Sequence, residues 1–251
     1  MAEIQRPSAL YKQVAAALRD AITSGEFPPG TPLPSETQLI ERYQVSRPTV
    51  RNAIAALRAE GLIEVIHGKG SYVRSTPTTT ATLTRTITHN TDGTYTTELS
   101  TWTLAETPHI HRTHTDTHTA PFLELDEGEA LFGVDRLYTT PAGARIAHRT
   151  LIPFATAEGT ELADHPDTDP DRIYTLLAQA GHTLAWTETT SARMPRPDER
   201  TTLHLPDATP LLHTTRVTHG NTGPLILEDL HTSGETTRAT YRITADTAAH
   251  D

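Results

Sequence analysis

The chain has no cysteine among its 251 residues, which excludes disulfides, thiolate metal sites and cysteine nucleophiles together. No apolar run approaches the length of a bilayer span, and the N-terminus lacks the basic-then-apolar order of a secretion signal. No membrane segment is expected, and the cytoplasm is the expected location. Positive charge is scarce: 21 Lys and Arg against 31 Asp and Glu leave a formal net charge of -10. Catalytic signatures are missing too. There is no Gly-x-Ser-x-Gly elbow, no phosphate-cradling glycine loop ending in Lys-Ser/Thr, and no His-Glu-x-x-His. The carboxylate pairs Asp126-Glu127 and Glu228-Asp229 are adjacent, so on a strand they point to opposite faces and read as ordinary surface charges. The expectation is of no enzyme and no cofactor.

The scarcity of positive charge is uneven. Residues 1–75 hold nine Lys or Arg against seven Asp or Glu, a balance of +2, whereas the remainder stands at -12. Both lysines, Lys12 and Lys69, lie in the first segment. Only that segment suits a polyanion, and its small excess has to act through where the charges sit and through two copies of the chain. Within it, Leu10, Val14, Ala17, Leu18, Ala21 and Ile22 mark one face of a helix over Ser8 to Ile22, stopped near Gly25. A proline-rich connector follows, from Pro28 to Pro34.

Ser35 then stands at an N-cap with Gln38 three residues on, a capping box, ahead of an apolar face of Leu39, Ile40 and Tyr43. Ser46 caps a second helix with Pro48 in its first turn and Val50, Ala53, Ile54 and Leu57 at helical spacing. Arg47, Thr49 and Arg51 are left outward in its first turn and a half, where a recognition helix meets base edges. Gly61 ends it. A β-branched hairpin follows, with His67, Gly68, Lys69 and Gly70 at its tip. Leu18, Leu39 and Leu57 read as core, each contributing about 1.5 to 3 kcal/mol by burial.

These residues spell a winged helix-turn-helix. PSETQLIERYQVSRPTVRNAIAALRAEGLI with GKGSYV, preceded by LYKQVAAALRDAITSGEFPPGTPLPSE, resembles the DNA-binding domain of the GntR family of bacterial transcription regulators. Thr37 stands where that family often has Arg, so no contact is carried over to it. The reading implies DNA contacts from Ser35, Glu36, Ser46, Arg47, Thr49, Arg51, His67, Gly68, Lys69 and Gly70.

After a linker at 76–82, with no large apolar residue, the character changes at Leu83 to threonine-rich strands. Strands are expected at Leu83 to His89 and Tyr95 to Leu104 around an Asp92-Gly93 turn, then on both sides of Pro141 to Gly143. Further strands are expected at Ala185 to Met194, Leu211 to His219, Pro224 to His231 and Arg238 to Thr244, and helices at Arg172 to Gly181 and Pro197 to Leu203. The fold class expected is α+β, with a winged helix-turn-helix over 1–75 and a mostly antiparallel domain over 83–246.

LELDEGEALFGVDRLYTTPAGARIAHRTLIP, IYTLLAQAGHTLAWTE and LHLPDATPLLHTTRVTHGNTGPLILEDL resemble the UTRA effector-binding domain of the HutC subfamily, whose fold is chorismate lyase-like. The resemblance implies a small-molecule effector, a homodimer, and effector contacts from Arg136, Tyr138, His148, Arg149, Glu228 and Tyr241. Tyr138 takes the second place of an Arg-x-Arg pattern and His148 the place of a common Glu, which argues against a phosphosugar. A guanidinium in such a pocket would clamp an anion with two parallel hydrogen bonds.

His109, His111, His114 and His118 crowd into HIHRTHTDTH with Asp116. His109 and His111 would share a strand face, a spacing compatible with zinc or nickel. Thirteen of the 14 histidines lie beyond residue 75, however, so composition accounts for the crowding and no metal is expected. The resulting expectation is a homodimeric repressor on a pseudo-palindromic operator, controlled by an effector. The alternatives are a constitutive DNA-binding regulator whose second domain only dimerises, and a lyase-like enzyme on that domain.

Overall fold

The computed structural model describes residues 9–66, 68–75 and 81–243. They fall into two units, one within 1–78 together with Leu205–Thr209, the other within 79–204 and 210–251. Inclusion of Leu205–Thr209 in the first unit was not visible in the sequence. Among the described residues no helix is long and apolar enough to cross a membrane.

The first unit contains α1 (Leu10–Thr23), α2 (Glu36–Tyr43), α3 (Arg47–Ala59), β1 (Ile63–Ile66) and β2 (Gly70–Val73). Both caps form as the sequence predicts. The Gln38 amide donates to Ser35 Oγ at 3.3 Å while the Ser35 amide donates to Gln38 Oε1 at 2.8 Å, and the Thr49 amide donates to Ser46 Oγ at 3.4 Å. These bonds satisfy amides that have no partner within the helix. Gln44, at φ 51°, ends α2 in the left-handed region and makes the turn to α3 tight. Leu18, Leu39, Val50, Ala53 and Leu57 are fully buried beneath Ile63 and Val73 of the hairpin. The proline connector does more than join helices: Leu33 donates to the Ser71 carbonyl at 2.8 Å and Val73 to that of Thr31 at 2.9 Å, so it lies along β2.

The second unit runs β3 (Ala81–Thr84), β4 (Thr88–His89), β5 (Tyr95–Thr96), β6 (Thr103–Leu104), β7 (His109–His114), α4 (Ala120–Leu123), β8 (Ala130–Thr139) and β9 (Arg145–Pro153). It continues with α5 (Phe154–Ala157), α6 (Pro170–Gln179), β10 (Ala185–Arg193), α7 (Pro197–Thr202), β11 (Leu211–Gly220), β12 (Gly223–Ser233) and β13 (Thr237–Thr240). Seven strands form one antiparallel sheet in the order β10-β11-β12-β9-β8, with β6 and β7 both pairing the far edge of β8. Side chains alternate between its faces. Phe132, Ile152 and Ile226 pack with Ile173, Tyr174 and Leu177 of α6, while Leu131, Leu151, Val217 and Leu227 pack with Leu123 of α4 on the other side.

Three expectations need correction. The stretch from Tyr95 to Leu104 is not one strand, because the Leu99 amide donates to Thr97 Oγ1 at 3.2 Å and starts a 3-10 turn at Glu98–Thr101 between β5 and β6. Leu83 to His89 is likewise divided, into β3 and β4. The last strand leaves the main sheet: Ser233 Oγ accepts the amides of Glu235 and Thr236, turning the chain so that β13 pairs β3 in parallel. Residues 76–80 of the linker and Thr244 lie outside the described residues, and Ala81 and Thr82 already belong to β3.

Candidate functional site

Two sets of residues were expected to carry function, and each lies within one unit. In the first, the start of α3 presents Arg47 and Arg51 to solvent, and Thr49 Oγ1 rests 2.8 Å from Ser46 Oγ. Arg51 is not free, as the sequence implied: its Nε is 3.6 Å from Glu36 Oε1 of α2, with the two side chains 69% and 48% exposed. An ion pair so open to water is weak, so the guanidinium can exchange partners readily. Lys69 sits between Gly68 and Gly70 at φ 75° and 107°, its amide donating to the Ile66 carbonyl at 3.0 Å. Only glycine holds both angles without strain. His67 lies outside the described residues.

In the second unit, strand alternation divides the expected effector residues. Arg136, Tyr138, His148 and Glu228 are buried on the α6 face of the sheet. Arg136 donates to Thr150 Oγ1 at 2.9 Å and to the Thr168 carbonyl at 2.8 Å. His148 Nε2 lies 3.1 Å from Glu228 Oε1, Tyr174 donates its hydroxyl proton to Glu228 Oε2, and Arg216 donates to the Tyr174 oxygen at 3.1 Å. Arg216 continues to Glu188 at 2.6 Å, and Arg85 pairs with Glu188 and Glu98. Glu228 is therefore no surface charge. It faces the core because Asp229, its neighbour, takes the opposite face, and burial is tolerated because three side chains surround its carboxylate.

Burial pushes the His148 imidazole down, with Glu228 only partly offsetting it. His148 Nδ1 is enclosed without a hydrogen-bond partner among the described residues, which fits a neutral ring that donates from Nε2. Burial alone would raise the Glu228 carboxyl, but His148, Arg216 and Tyr174 outweigh it and hold it well below the usual carboxylate range. Tyr138 is pushed up to about 12, mainly by burial. Tyr241 lies beyond β13, 40% exposed, with its hydroxyl 2.9 Å from Thr190 Oγ1.

Arg149 occupies the other face, where the sheet, α7 and the loop before α4 line a cavity of about 740 Å³. That volume suits a small metabolite. Register places Asp229 between Arg149 and Thr215, and His231 between Ala147 and His213. Arg149 donates to Asp135 at 2.6 and 3.2 Å, His213 Nε2 lies 2.7 Å from Asp229 Oδ1, and Arg193 forks onto Glu199 at 2.6 and 2.7 Å. The His213 and His231 rings meet edge-on at 4.5 Å. Burial, aided by His213, lowers His231 to about 4, and Arg193 holds Glu199 at about 2 against the opposing effect of burial. Sequence reasoning missed Arg193, Glu199, His213 and His231. Strand parity relative to Arg149 was the signal available for the two histidines. One further group, His109, His111 and Asp135, has donors close enough together for a metal ion.

The sequence matches two families: bacterial regulatory proteins, gntR family, over residues 10–73, and the UTRA domain over residues 106–232. Its first segment is similar to the HTH-type transcriptional repressor NagR of Bacillus subtilis, 41% identical over 69 residues covering 28% of either chain. It is also similar to the mannosyl-D-glycerate transport/metabolism system repressor MngR of Escherichia coli, 43% identical over 65 residues, 26% of this chain and 27% of that one. The chain thus matches about a quarter of the length of these curated relatives. A solved structure named for the GntR family of transcriptional regulators superposes with TM-score 0.67 at 22% identity, covering 95% of this chain and 99% of its own. PhnF from Mycobacterium smegmatis superposes with TM-score 0.50 at 21% identity, covering 93% and 100%. These likenesses show the fold.

Proposed function

Because the chain belongs to the bacterial regulatory proteins of the gntR family and joins their DNA-binding domain to a UTRA domain, we propose that this transcriptional regulator is a homodimeric, cytoplasmic repressor released from its operator by a small polar metabolite. The observation that carries the reading is the α3 surface, where Arg47 and Arg51 face solvent beside the capped helix starts at Ser35 and Ser46. Amides at such starts favour phosphate and place the arginines over base edges. Two copies related by a two-fold axis would enter major grooves about 34 Å apart, so the operator is an inverted repeat. Lys69 and the glycines beside it would reach the backbone from the wing. The names of two relatives of the first segment, both repressors, support the sign of regulation.

For the effector, Arg149 is the contact best placed, since it already stands in the cavity. Arg136, Tyr138, His148 and Glu228 turn to the opposite face of the sheet. Arg136, His148 and Glu228 would turn a side chain to a ligand only by giving up hydrogen bonds they already make, and Tyr138 only by leaving its packing against Trp102. An effector that loosens DNA must itself be bound less tightly by the DNA complex.

The test mixes the protein with a duplex carrying two half-sites and screens polar metabolites for release. Two chains per duplex in sedimentation, and a release that Arg149→Ala removes without weakening DNA binding, are the expected results. One chain per duplex would refute the dimer. A release untouched by Arg149→Ala would move the effector away from the cavity, and a duplex affinity and melting temperature that no metabolite shifts would leave a second domain that only dimerises.

A further inference from the structure

We propose that His109, His111 and Asp135 form a site for a zinc-class divalent cation at the rim of the second unit's cavity. One donor atom from each lies within 4.8 Å of the other two. His109 and His111 are two residues apart on β7, so their rings leave the strand on one face, stacked at 5.4 Å with 24° between their planes. The third donor comes from β8, whose pairing with β7 sets Asp135 opposite His109 and Gly133 opposite His111. Gly133 is the reason the second ring fits. A Cβ there would lie 2.4 Å from His111 Nε2, so only a bare backbone lets the imidazole lie across β8.

In that position His111 Nδ1 is 3.8 Å from Asp135 Oδ2, beyond hydrogen-bond length, and it is shielded from solvent with no hydrogen-bond partner among the described residues. A shielded nitrogen left unpartnered beside a carboxylate oxygen calls for a cation between them. The two oxygens of Asp135 are already distinguished. Oδ1 takes Arg149 Nε at 2.6 Å, while Oδ2, on the His111 side, takes the longer 3.2 Å bond from Nη2. An outer hydrogen bond of this kind fixes the orientation of a ligating carboxylate. Two imidazoles and one carboxylate suit zinc, nickel or cobalt, whereas magnesium and calcium prefer oxygen alone. Three protein ligands leave a coordination position for water or an anionic oxygen of a small molecule, and His109 and Asp135 both line the cavity. The site depends on the second unit alone, so it stands or falls apart from the DNA-binding reading.

Full-length protein stripped with a chelator and titrated with Zn2+, and with Co2+ for its visible absorption, tests the proposal. The parent protein is expected to bind one ion per chain, with a raised melting temperature and a Co2+ spectrum of imidazole ligation. His111→Ala and Asp135→Asn are expected to lower affinity at least about 100-fold, and Gly133→Ala, which keeps all three ligands but displaces the His111 ring, about 10-fold or more. His114→Ala, on the opposite side of β7, leaves affinity unchanged. If Asp135→Asn loses its circular dichroism signal, the exposed His109→Ala takes its place. No saturable binding in the parent protein, an affinity indifferent to Asp135 and Gly133, or an equal loss from His114→Ala would overturn the site.

Discussion

The cations at the start of α3 and at the hairpin tip of the first unit are held open, whereas one set of charged groups on the α6 face of the second is closed upon itself. Arg47 and Lys69 face water, and Arg51 keeps one long contact with a half-exposed Glu36. His148, Arg216 and Glu228 are buried and joined through Tyr174, and Arg216 runs on to Glu188, while Arg136, equally buried, is held by Thr150 and the Thr168 carbonyl. Openness and enclosure fit the two sets to different tasks. Exposed cations exchange partners at little cost and so suit a polyanion that arrives and leaves. Enclosed charges exchange partners only if the core rearranges, since a partner lost leaves an uncompensated charge. The cavity behind Arg149 lies between these extremes, polar and walled but open to a ligand.

The enclosed set is most vulnerable at Glu228. Glu228→Ala should lose about 3 to 5 kcal/mol of stability in urea unfolding, because His148, Tyr174 and Arg216 are stranded together. A loss below about 1 kcal/mol would mean that water reaches the network and that the two units do not differ as described.

Acid should separate the units next. His231 is lowered to about 4 from the usual 6.5 by burial, so the unfolded chain takes up its proton first. Its contribution is complete above pH 6.5 and is lost as pH falls towards 4. Unfolding free energy of the second unit should decline across that window, and His231→Gln should flatten the decline. An unchanged slope would place His231 in solvent.

In the first unit the effects are smaller and fall on binding instead of folding. Arg51→Ala should weaken specific DNA by about 1 to 3 kcal/mol and relax discrimination at one position. Lys69→Ala should weaken all sequences alike and lower the slope of log affinity against log salt by about one. A sequence-dependent loss for Lys69→Ala would bring the wing among the base readers.

What was legible in the sequence follows the range of the interaction. Ser35 with Gln38 and Ser46 with Thr49 act over three residues, so both helix starts could be read directly. The face occupied by each effector candidate depends on register instead. The turn at Pro141 to Gly143 pairs Asp135 with Arg149 and Arg136 with His148, which sends the two arginines to opposite faces. The same-face relation of His109 and His111 was evident, but Asp135 joins them only through the pairing of β7 with β8, a contact no local pattern encodes. Thr97 and Ser233 misled the strand reading for the opposite reason: a side chain bonding its own backbone overrode alternation.

If α3 reads an inverted repeat, selection of bound duplexes from a randomised pool at physiological salt, with the parent protein and Arg51→Ala side by side, will show it. The prediction is an inverted repeat recovered by the parent and degraded at one symmetric position in the variant. Recovery of nothing above random by the parent, or of the same repeat undiminished by both, would contradict it.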